Sequence, residues 1–255
     1  MSGGYGNKFK NSTLLQNSKL LRFCFKLIYP PMPTINCIEK KQLKQIQYQI
    51  FKNNNVILNY GCGISTGSGK RLWDKKCFEN SKIIHFDILQ QDEVLVVGDA
   101  HKLPFKSQVF DSIICQAVLE HVSNPKKAVN EMFRVLKPKG HVFVEVPFIQ
   151  GYHADPHDYQ RYTLNGLQYL FKNFKILDCG VSVGPFCSLV WILRDGLSSF
   201  FHNKFMYFLV RFFVSWFLSP LRYLDFFIRK RPLFKKLACE NFIFVKKNNI
   251  KDIKK

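Results

Sequence analysis

The sequence has few acidic residues: 18 Asp and Glu stand against 38 Lys and Arg in 255 residues, which gives a formal net charge of +20. Such an excess of positive charge indicates a polyanionic partner, either nucleic acid or an acidic membrane surface. The alternative is a compositional drift toward Lys and Asn that merely keeps the protein soluble. Hydrophobic residues make up 47% of the chain, which excludes disorder as its main state.

Cysteine motifs and a leader-like segment are also missing. The eight cysteines form no Cys-x-x-Cys pair and show no His spacing typical of zinc, so no metal is predicted. Several stand in apolar runs, as Cys115 does after Ile114, where cysteine behaves as a small core residue. Reduced thiols in a cytosolic compartment are therefore expected. Residues 1–29 have no uninterrupted apolar stretch, so no secretory signal is expected.

Composition divides the chain into four segments. We predict a basic N-terminal extension at 1–45, a cofactor-binding core at 46–180, an aromatic and basic helical insertion at 181–238, and a last strand with a Lys-rich tail at 239–255. In the core, short Val- and Ile-rich runs bounded by Gly, Asp or Pro alternate with helix-like segments. This alternation is typical of an α/β fold with buried parallel strands. The strand-like runs are 55–58, 82–86, 94–97, 111–115 and 141–146, followed by 175–179 and 240–245.

A glycine turn follows the first predicted strand, in the segment Asn59-Tyr60-Gly61-Cys62-Gly63. Such a turn lets backbone amides approach a ligand closely. A phosphate-binding P-loop is excluded because Ile64 stands where its first glycine is required and Arg71 follows Gly69-Lys70. A dinucleotide fingerprint is excluded because Thr66 replaces its third glycine.

Other motifs follow in order along the chain. Asp87 closes the second predicted strand, where a carboxylate can hold a ribose diol. Asp99 follows the third, the fourth leads into Gln116-Ala117-Val118-Leu119-Glu120-His121-Val122, and a helix ending at Pro138-Lys139-Gly140 leads into the fifth.

This ordered set resembles the class I S-adenosylmethionine-dependent methyltransferases, in the branch that carries the Leu-Glu-His-Val loop. The resemblance covers about 55–180 and the last strand. It implies a Rossmann-like, seven-stranded sheet that is parallel but for its final strand and has helices on both faces. The helical insertion before the last strand would be an addition to that fold.

The resemblance also assigns the residues that would bind S-adenosyl-L-methionine. Gly61 and Gly63 would line its methionine end, Asp87 would bind the ribose hydroxyls, and Asp99 with Ala100 would meet the adenine. Gln116 and Ala117 would close the methionine side. The alternative for the two aspartates is that they only cap strand ends.

Two positions depart from the family pattern. Asn59 stands where the family usually has an acid, so this residue would still accept a hydrogen bond but would not neutralise the cofactor's ammonium group. Ser65 replaces the third glycine and is small enough to fit.

A polar loop after the fifth predicted strand contains the candidates for catalysis, in Gly151-Tyr152-His153-Ala154-Asp155-Pro156-His157-Asp158 and the residues that follow. Loops at the carboxyl ends of parallel strands form the binding crevice, so we expect this loop and His121 to face the same pocket. A similar stretch occurs in a subgroup of these methyltransferases linked to surface-glycan assembly.

Each candidate has a proposed role and an alternative. His153 or His157 would be the general base, since imidazole titrates near working pH, and Asp155 would orient it. Arg161, with Tyr162 and His121, would bind the acceptor; Arg161 would otherwise pair with Asp158 to hold the loop. The alternative for the whole cluster is a hydrogen-bonded loop that shapes the pocket. Thr163 is predicted to cap the next helix, 164–173.

The insertion contains an apolar run, 205–218, that is interrupted only by Arg211, and basic residues follow it. Residues 211–255 hold twelve Lys and Arg against three acids. Aromatic segments beside basic clusters suit the interface of an acidic membrane. A helical cap or a dimer interface is the alternative, and a re-entrant or spanning helix a further one; oligomeric state does not follow from the sequence.

The sequence thus predicts an S-adenosylmethionine-dependent methyltransferase that acts on a hydroxyl of a sugar, glycan or lipid-linked acceptor. We expect it in the cytoplasm, peripheral on the inner face of the membrane. One rival is a nucleic-acid methyltransferase, favoured by the +20 charge; against it, no Asn-Pro-Pro-Tyr-like motif follows the fourth strand. The other is a membrane-recruited scaffold that binds cofactor without activity, which Asn59 favours.

Overall fold

The structure is a computed structural model, and it describes residues 34–52, 54–63, 73, 81–90, 94–154 and 157–248. The chain folds into two compact units. We call the first the core unit; it comprises the described residues of Asn36–Phe148, Tyr159–Ser182 and Glu240–Lys255. We call the second the helical unit; it comprises those of Met1–Ile35, Ile149–Asp158 and Val183–Cys239. The polar loop that contains His153 and His157, which we call the histidine loop, is therefore described with the helical unit.

The described residues of the chain form one seven-stranded sheet in the order β3-β2-β1-β4-β5-β7-β6. Neighbouring strands from β3 to β5 pair in parallel, and β7 pairs antiparallel with β5. The prediction of a mostly parallel sheet with an inverted last strand is confirmed. The strands are β1 (Val56–Tyr60), β2 (Lys82–Asp87), β3 (Val96–Val97), β4 (Phe110–Gln116), β5 (Leu136–Pro147), β6 (Lys175–Val183) and β7 (Glu240–Lys246).

Side chains that alternate along the strands build two separate cores. Leu58 and Ile113 belong to one buried cluster, which includes the inner face of helix α2 (Pro125–Val135). Their chain neighbours Ile57 and Ile114 belong to the other, which includes the inner residues of helix α1 (Lys40–Ile50). Because successive strand residues point to opposite faces, the sheet needs a helix on each side to cover both rows.

Strand register places the functional ends of three strands together. Tyr60, the last residue of β1, is paired with Phe86 of β2 and with Cys115 of β4. The loops that follow these strands therefore leave the sheet at the same edge, which is where parallel sheets bind ligands. Helix α3 (Leu164–Leu170) follows later in the chain, and the Thr163 side chain accepts a hydrogen bond from the Gly166 N–H at 3.1 Å, as the predicted N-cap requires.

Four helices of the helical unit lie in the chain between β6 and β7, within the segment 181–238 where the sequence predicts a helical insertion. β6 continues four residues past the predicted Cys179, to Val183. The helices are α4 (Pro185–Ser199), α5 (Lys204–Leu218), α6 (Asp225–Ile228) and α7 (Pro232–Lys236), with a 3-10 turn at Ser219–Leu224.

A buried lysine closes the carboxyl end of α2. The Lys247 Nζ atom donates to the carbonyl oxygens of Phe133 at 2.6 Å and Leu136 at 2.7 Å, and it lies 4.5 Å from the centre of the Phe133 ring. Burial lowers the pKa of Lys247. A cation is favourable at this position because the last carbonyls of a helix lack partners within the helix.

We expect Lys247→Met to lower the free energy of unfolding by about 1.5–3 kcal/mol, since two buried carbonyls lose a charged donor. The measurement is urea denaturation. Lys175→Met is the matched control, because Lys175 is exposed at the start of β6. Equal stability of the two variants would contradict a capping role for Lys247.

Candidate functional site

The turn after β1 requires glycine at position 61. Gly61 has φ +69°, and a Cβ there would overlap the side chain of Val118, which follows β4. Its N–H and that of Cys62 both donate to the Phe86 carbonyl, at 2.8 and 3.1 Å. The loops after β1 and β4 thus pack against each other, and any side chain at position 61 would separate them.

Gly63 and Asp87 join the loops after β1 and β2. The Gly63 N–H donates to Asp87 Oδ2 at 2.8 Å, and the Leu89 N–H donates to Oδ1 at 3.1 Å. Among the described residues, no heavy atom lies within 4 Å of where a Cβ of Gly63 would stand. A carboxylate oxygen accepts two hydrogen bonds, so Asp87 can cap this turn and still accept from two ribose hydroxyls.

Asn59 lies on β1 opposite His85 of β2, and its Nδ2 is 3.0 Å from His85 Nδ1. An amide nitrogen only donates, so His85 Nδ1 accepts this hydrogen bond. The amide at this predicted cofactor position is thus oriented by its neighbour on β2.

Asp99 forms a turn with His101. Its Oδ1 accepts from the backbone N–H of His101 at 2.8 Å and lies 2.6 Å from His101 Nδ1. These bonds, the backbone one first, lower the pKa of Asp99. His101 Nε2 is 3.1 Å from the Asn124 N–H, which can only donate. His101 therefore carries its proton on Nδ1 and connects Asp99 to the residue that caps α2.

Two further contacts hold this segment in place. The Tyr60 hydroxyl donates to the Ala100 carbonyl at 3.0 Å, and burial raises the pKa of Tyr60. Glu131 on α2 accepts from the Leu103 N–H at 2.8 Å, while Arg134 donates to the Leu103 and Phe105 carbonyls at 3.1 and 2.8 Å. Both ends of the segment that follows Asp99 are thus fixed.

Ala117 has φ +53°, a conformation that residues other than glycine rarely adopt. It is exposed directly after β4, and its N–H donates to the Glu145 carbonyl at 2.9 Å. Such strain is concentrated at functional sites. The neighbouring Gln116 side chain is engaged inside the protein: it donates to Glu145 Oε2 and accepts from Trp73 Nε1, both at 2.8 Å.

The Leu119–His121 turn bears the predicted acceptor residue His121 and is held by two side chains that follow the histidine loop. The buried Tyr162 hydroxyl donates to the Leu119 carbonyl at 3.1 Å, and Gln160 Nε2 donates to that carbonyl and to the Val122 carbonyl at 3.2 and 2.8 Å. His121 Nε2 lies 3.8 Å from the buried Glu120 carboxylate. Arg161 Nη1 donates to the Gln160 carbonyl at 3.0 Å.

In the helical unit, Asp158 organises the histidine loop. Its Oδ2 accepts from the His153 N–H at 2.8 Å and lies 3.9 Å from His153 Nδ1, and its side chain is 1% exposed. His153 Nδ1 is 3.0 Å from the Gly151 carbonyl, which only accepts. In the neutral ring the proton is therefore on Nδ1 and the basic lone pair on Nε2. His157 is exposed, and Asp155 lies outside the described residues.

Sequence reasoning missed several supporting residues. His101, Glu131 and Arg134 position the Asp99 segment, Trp73 and Glu145 hold Gln116, and Gln160 holds the turn that contains His121. Asp158 contacts His153, and the role of Asp155, which lies outside the described residues, stays a prediction. Of these supporting contacts, only the ion pair of Glu131 and Arg134 follows from sequence spacing, because residues three apart lie on one face of a helix.

Comparison with known proteins identifies the domain type. Residues 58–144 match the family model described as a methyltransferase domain, and all of the predicted cofactor residues lie in this stretch. An Arabidopsis thaliana tRNA (carboxymethyluridine(34)-5-O)-methyltransferase is 34% identical over 102 residues, 37% of this chain and 24% of that protein. The UbiE C-methyltransferase of ubiquinone and menaquinone biosynthesis from Ruegeria sp. is 45% identical over 49 residues, 19% of this chain and 20% of that protein. The chain spans less than half the length of these curated relatives.

Solved structures show the same fold. The cyclase SpnF has a TM-score of 0.52 and 16% identity, covering 82% of this chain and 80% of that one. A putative sarcosine dimethylglycine methyltransferase from Galdieria sulphuraria has a TM-score of 0.51 and 15% identity, covering 89% and 97%. One of the two is named for cyclisation, so the fold alone does not determine the reaction.

The prediction of a methyltransferase domain with S-adenosyl-L-methionine as its cofactor is confirmed. The roles of individual residues stay predictions, and so does the idea that the histidine loop and His121 share a pocket, because the two are described in different units.

We expect Asp87→Ala to weaken binding of S-adenosylhomocysteine by about ten- to a hundredfold, since a buried charged acceptor is lost, at about 1.5–3 kcal/mol. Calorimetry measures the affinity. Asp111→Ala is the matched control: Asp111 also accepts a backbone N–H, that of Val56 at 2.9 Å, but lies at the amino end of β4. Unchanged affinity in Asp87→Ala would refute the ribose assignment.

Proposed function

We propose that the whole chain is a methyltransferase that transfers the methyl group of S-adenosylmethionine to a hydroxyl of a sugar, glycan or lipid-linked acceptor. The observation that supports the first half is the Asp87 carboxylate at the carboxyl end of β2. It accepts a hydrogen bond from the amide of Gly63, and no heavy atom of the described residues lies within 4 Å of where a Cβ of Gly63 would stand. Ala117, which is strained and exposed directly after β4, supports the proposal that the cofactor binds at this edge of the sheet.

The bound cofactor supplies a methyl group on a sulfonium, which is a good leaving group. What the chain must add is position, exclusion of water and, for a hydroxyl acceptor, a proton acceptor. Asp87 would hold the ribose, and the Asp99 segment, fixed by His101 and Tyr60, would meet the adenine. The rigid turns at Gly61 and Ala117 would define the methionine end.

His153 is the best supported proton acceptor among the candidates. Its Nδ1–H donates to the Gly151 carbonyl, which leaves Nε2 as the atom that takes a proton. When the ring is protonated, the Asp158 carboxylate 3.9 Å from Nδ1 stabilises the imidazolium. A histidine held in one tautomer beside a buried carboxylate suits deprotonation of a hydroxyl. This supports oxygen as the methylated atom.

Relatives with printed activities act on different acceptors. One is named as an O-methyltransferase of a tRNA nucleoside and another as a C-methyltransferase of quinone biosynthesis. The helical unit favours a glycan or lipid-linked acceptor, because methylation of RNA does not require such a unit. RNA therefore remains the rival outcome of the experiment below.

We expect purified protein with labelled S-adenosylmethionine to transfer methyl groups to the polysaccharide or lipid fraction of the native cell. His153→Ala and His157→Ala should each keep S-adenosylhomocysteine affinity, and at least one should lower turnover by about 10²–10⁴. His202→Ala, an exposed histidine elsewhere in the helical unit, is the control. Label in the RNA fraction would overturn the acceptor class, and wild-type turnover in both loop variants would place the base elsewhere.

We further propose that the protein works in the cytoplasm, on the acidic inner face of a membrane. The basic residues after α6 are exposed and close together in the chain, and they outnumber acids there. Such a cluster attracts anionic lipids within about a Debye length, so the attraction weakens as salt rises. These residues are Arg229, Lys230, Arg231, Lys235 and Lys236.

We expect Lys230→Glu/Lys235→Glu to lower flotation with acidic vesicles, and the difference from wild type to shrink at high salt. Lys126→Glu/Lys175→Glu changes the net charge equally at exposed lysines of the core unit and serves as the control. If both double variants lose binding equally, net charge rather than this cluster is responsible.

A further inference from the structure

Helices α4, α5 and α6 of the helical unit place most of their charges inward. In the helical residues from Lys204 to Ile228, every serine and every charged side chain beyond Lys204 is buried or half-buried. Their spacing of three or four residues puts them on one face of a helix. They are Arg211, Ser215, Ser219, Arg222 and Asp225.

Helix α4 shows the same inversion. Ser188, Arg194 and Ser198 are buried, and Asp195 is half-buried. On a helix of a water-soluble protein, serines and charges occupy the solvent side and apolar residues the inner side. Here the arrangement is reversed.

Three of the inward charges form ion pairs within the unit, and Asp225 is hydrogen-bonded to backbone groups. Asp195 on α4 accepts from Arg194 Nε at 2.8 Å and from Arg211 Nη1 of α5 at 2.6 Å, so one carboxylate joins two arginines and two helices. Arg211 also donates to the Tyr207 hydroxyl at 2.9 Å. Asp225 of α6 accepts from the Phe186 and Cys187 N–H groups at the start of α4, at 2.9 and 3.2 Å.

The outer side is aromatic. Between Leu189 and Phe227, a stretch that the structure describes in full, Lys204 is the single Lys, Arg, Asp or Glu among the exposed residues. Phe217 is 84% exposed, Phe227 82% and Phe200 79%. On α5 the exposed apolar positions run from Phe205 to Phe217 and cover about 180° of the helix at 3.6 residues per turn.

Lipid acyl chains fit this surface better than a second copy of the chain. Helix pairing covers a narrow seam, whereas this face covers half of a helix and continues on α4 and α6. Small polar residues between helices and charges directed inward are features of helices packed in lipid. The exposed basic residues 229–236, which follow immediately, suit the headgroup layer of the same leaflet.

We propose that α4, α5 and α6 are embedded in the acyl-chain region of one leaflet, with the Arg194–Asp195–Arg211 group as their polar interior. α4 and α5 have 15 residues each, about 22 Å, which is shorter than the hydrocarbon core of about 30 Å. The polar residues His202 and Asn203 between them and Lys204 at the start of α5 are exposed and suit the headgroups, while Phe200 and Phe201 extend the apolar surface, so the helices lie along the leaflet.

Within the part of the chain that the structure describes, one helical stretch, Lys204–Ile228, is long and apolar enough to cross a bilayer. It includes the inward charges Arg211, Arg222 and Asp225, and the 3-10 turn Ser219–Leu224 interrupts it after α5. The embedded arrangement keeps these charges against the neighbouring helix. This inference rests on the membrane association proposed above and specifies its depth.

The test uses the full-length protein with vesicles of phosphatidylcholine, with and without phosphatidylglycerol, that contain lipids brominated at defined acyl positions. We expect bromine in the upper and middle acyl chain to quench Trp216 fluorescence in both vesicle types, and protein to stay bound in high salt. Trp216→Phe should remove most of the quenching, and Trp191→Phe, a half-buried position on α4, should retain it.

Phe213→Ser/Phe217→Ser should release the protein from neutral vesicles, while Tyr48→Ser/Tyr169→Ser, at equally exposed aromatics of α1 and α3, should not. If the protein binds only acidic vesicles, is released by salt and shows no quenching, the embedded arrangement is wrong and attachment to the membrane surface is supported. Binding to neither vesicle would overturn both. A dimer in vesicle-free solution that Phe213→Ser/Phe217→Ser dissociates, with no quenching, would assign the aromatic face to a second copy.

Discussion

The candidate site depends on the close approach of two loops at Gly61. With φ +69° and no room for a Cβ beside Val118, this position lets the turn after β1 pack directly on the residues after β4. Because the two loops are in contact, Gly63 is placed where its amide meets Asp87 after β2, and Ala117 is held in its strained conformation next to Val118. A side chain at position 61 would separate the loops and displace all three elements together.

Around that contact, the core unit fixes the predicted cofactor residues by hydrogen bonds from behind. His101 connects Asp99 to α2, Tyr60 holds the Ala100 carbonyl, and Glu131 holds Leu103. These residues have no predicted contact with a ligand, yet they determine where the ligand-facing groups stand. A binding site that is rigid before its ligand arrives loses less conformational entropy on binding.

The sequence alone was sufficient to predict those features of the fold and site that depend on local residue patterns. Val- and Ile-rich runs bounded by Gly and Asp predicted the strands, and the order of glycine turn, Asp87 and Asp99 predicted the domain type that the family model confirms. It was insufficient where a contact joins distant residues. Trp73 and Gln116 are 43 positions apart, and Tyr162 and Leu119 are also 43 apart, so neither hydrogen bond leaves a periodic trace in the sequence. The contact of Asp158 with His153 was missed for another reason: two acids, Asp155 and Asp158, stand close together in that loop, and the sequence does not show how the loop folds.

The two units differ in which side chains they bury. In the core unit, alternating strand residues bury Ile and Val on both faces, and single charged side chains such as Lys247 are buried among them. In the helical unit, Arg194, Asp195 and Arg211 pair inside while Phe and Trp side chains are exposed. Burying an unpaired charge costs far more than exposing a ring, so the inverted arrangement is stable only if the inner charges are paired and the outer surface is in contact with an apolar medium. Asp195 meets the first condition for Arg194 and Arg211. The second would be met by the acyl chains of the proposed embedded arrangement, and in that proposal the helical unit, more than the core unit, determines where this methyltransferase domain acts.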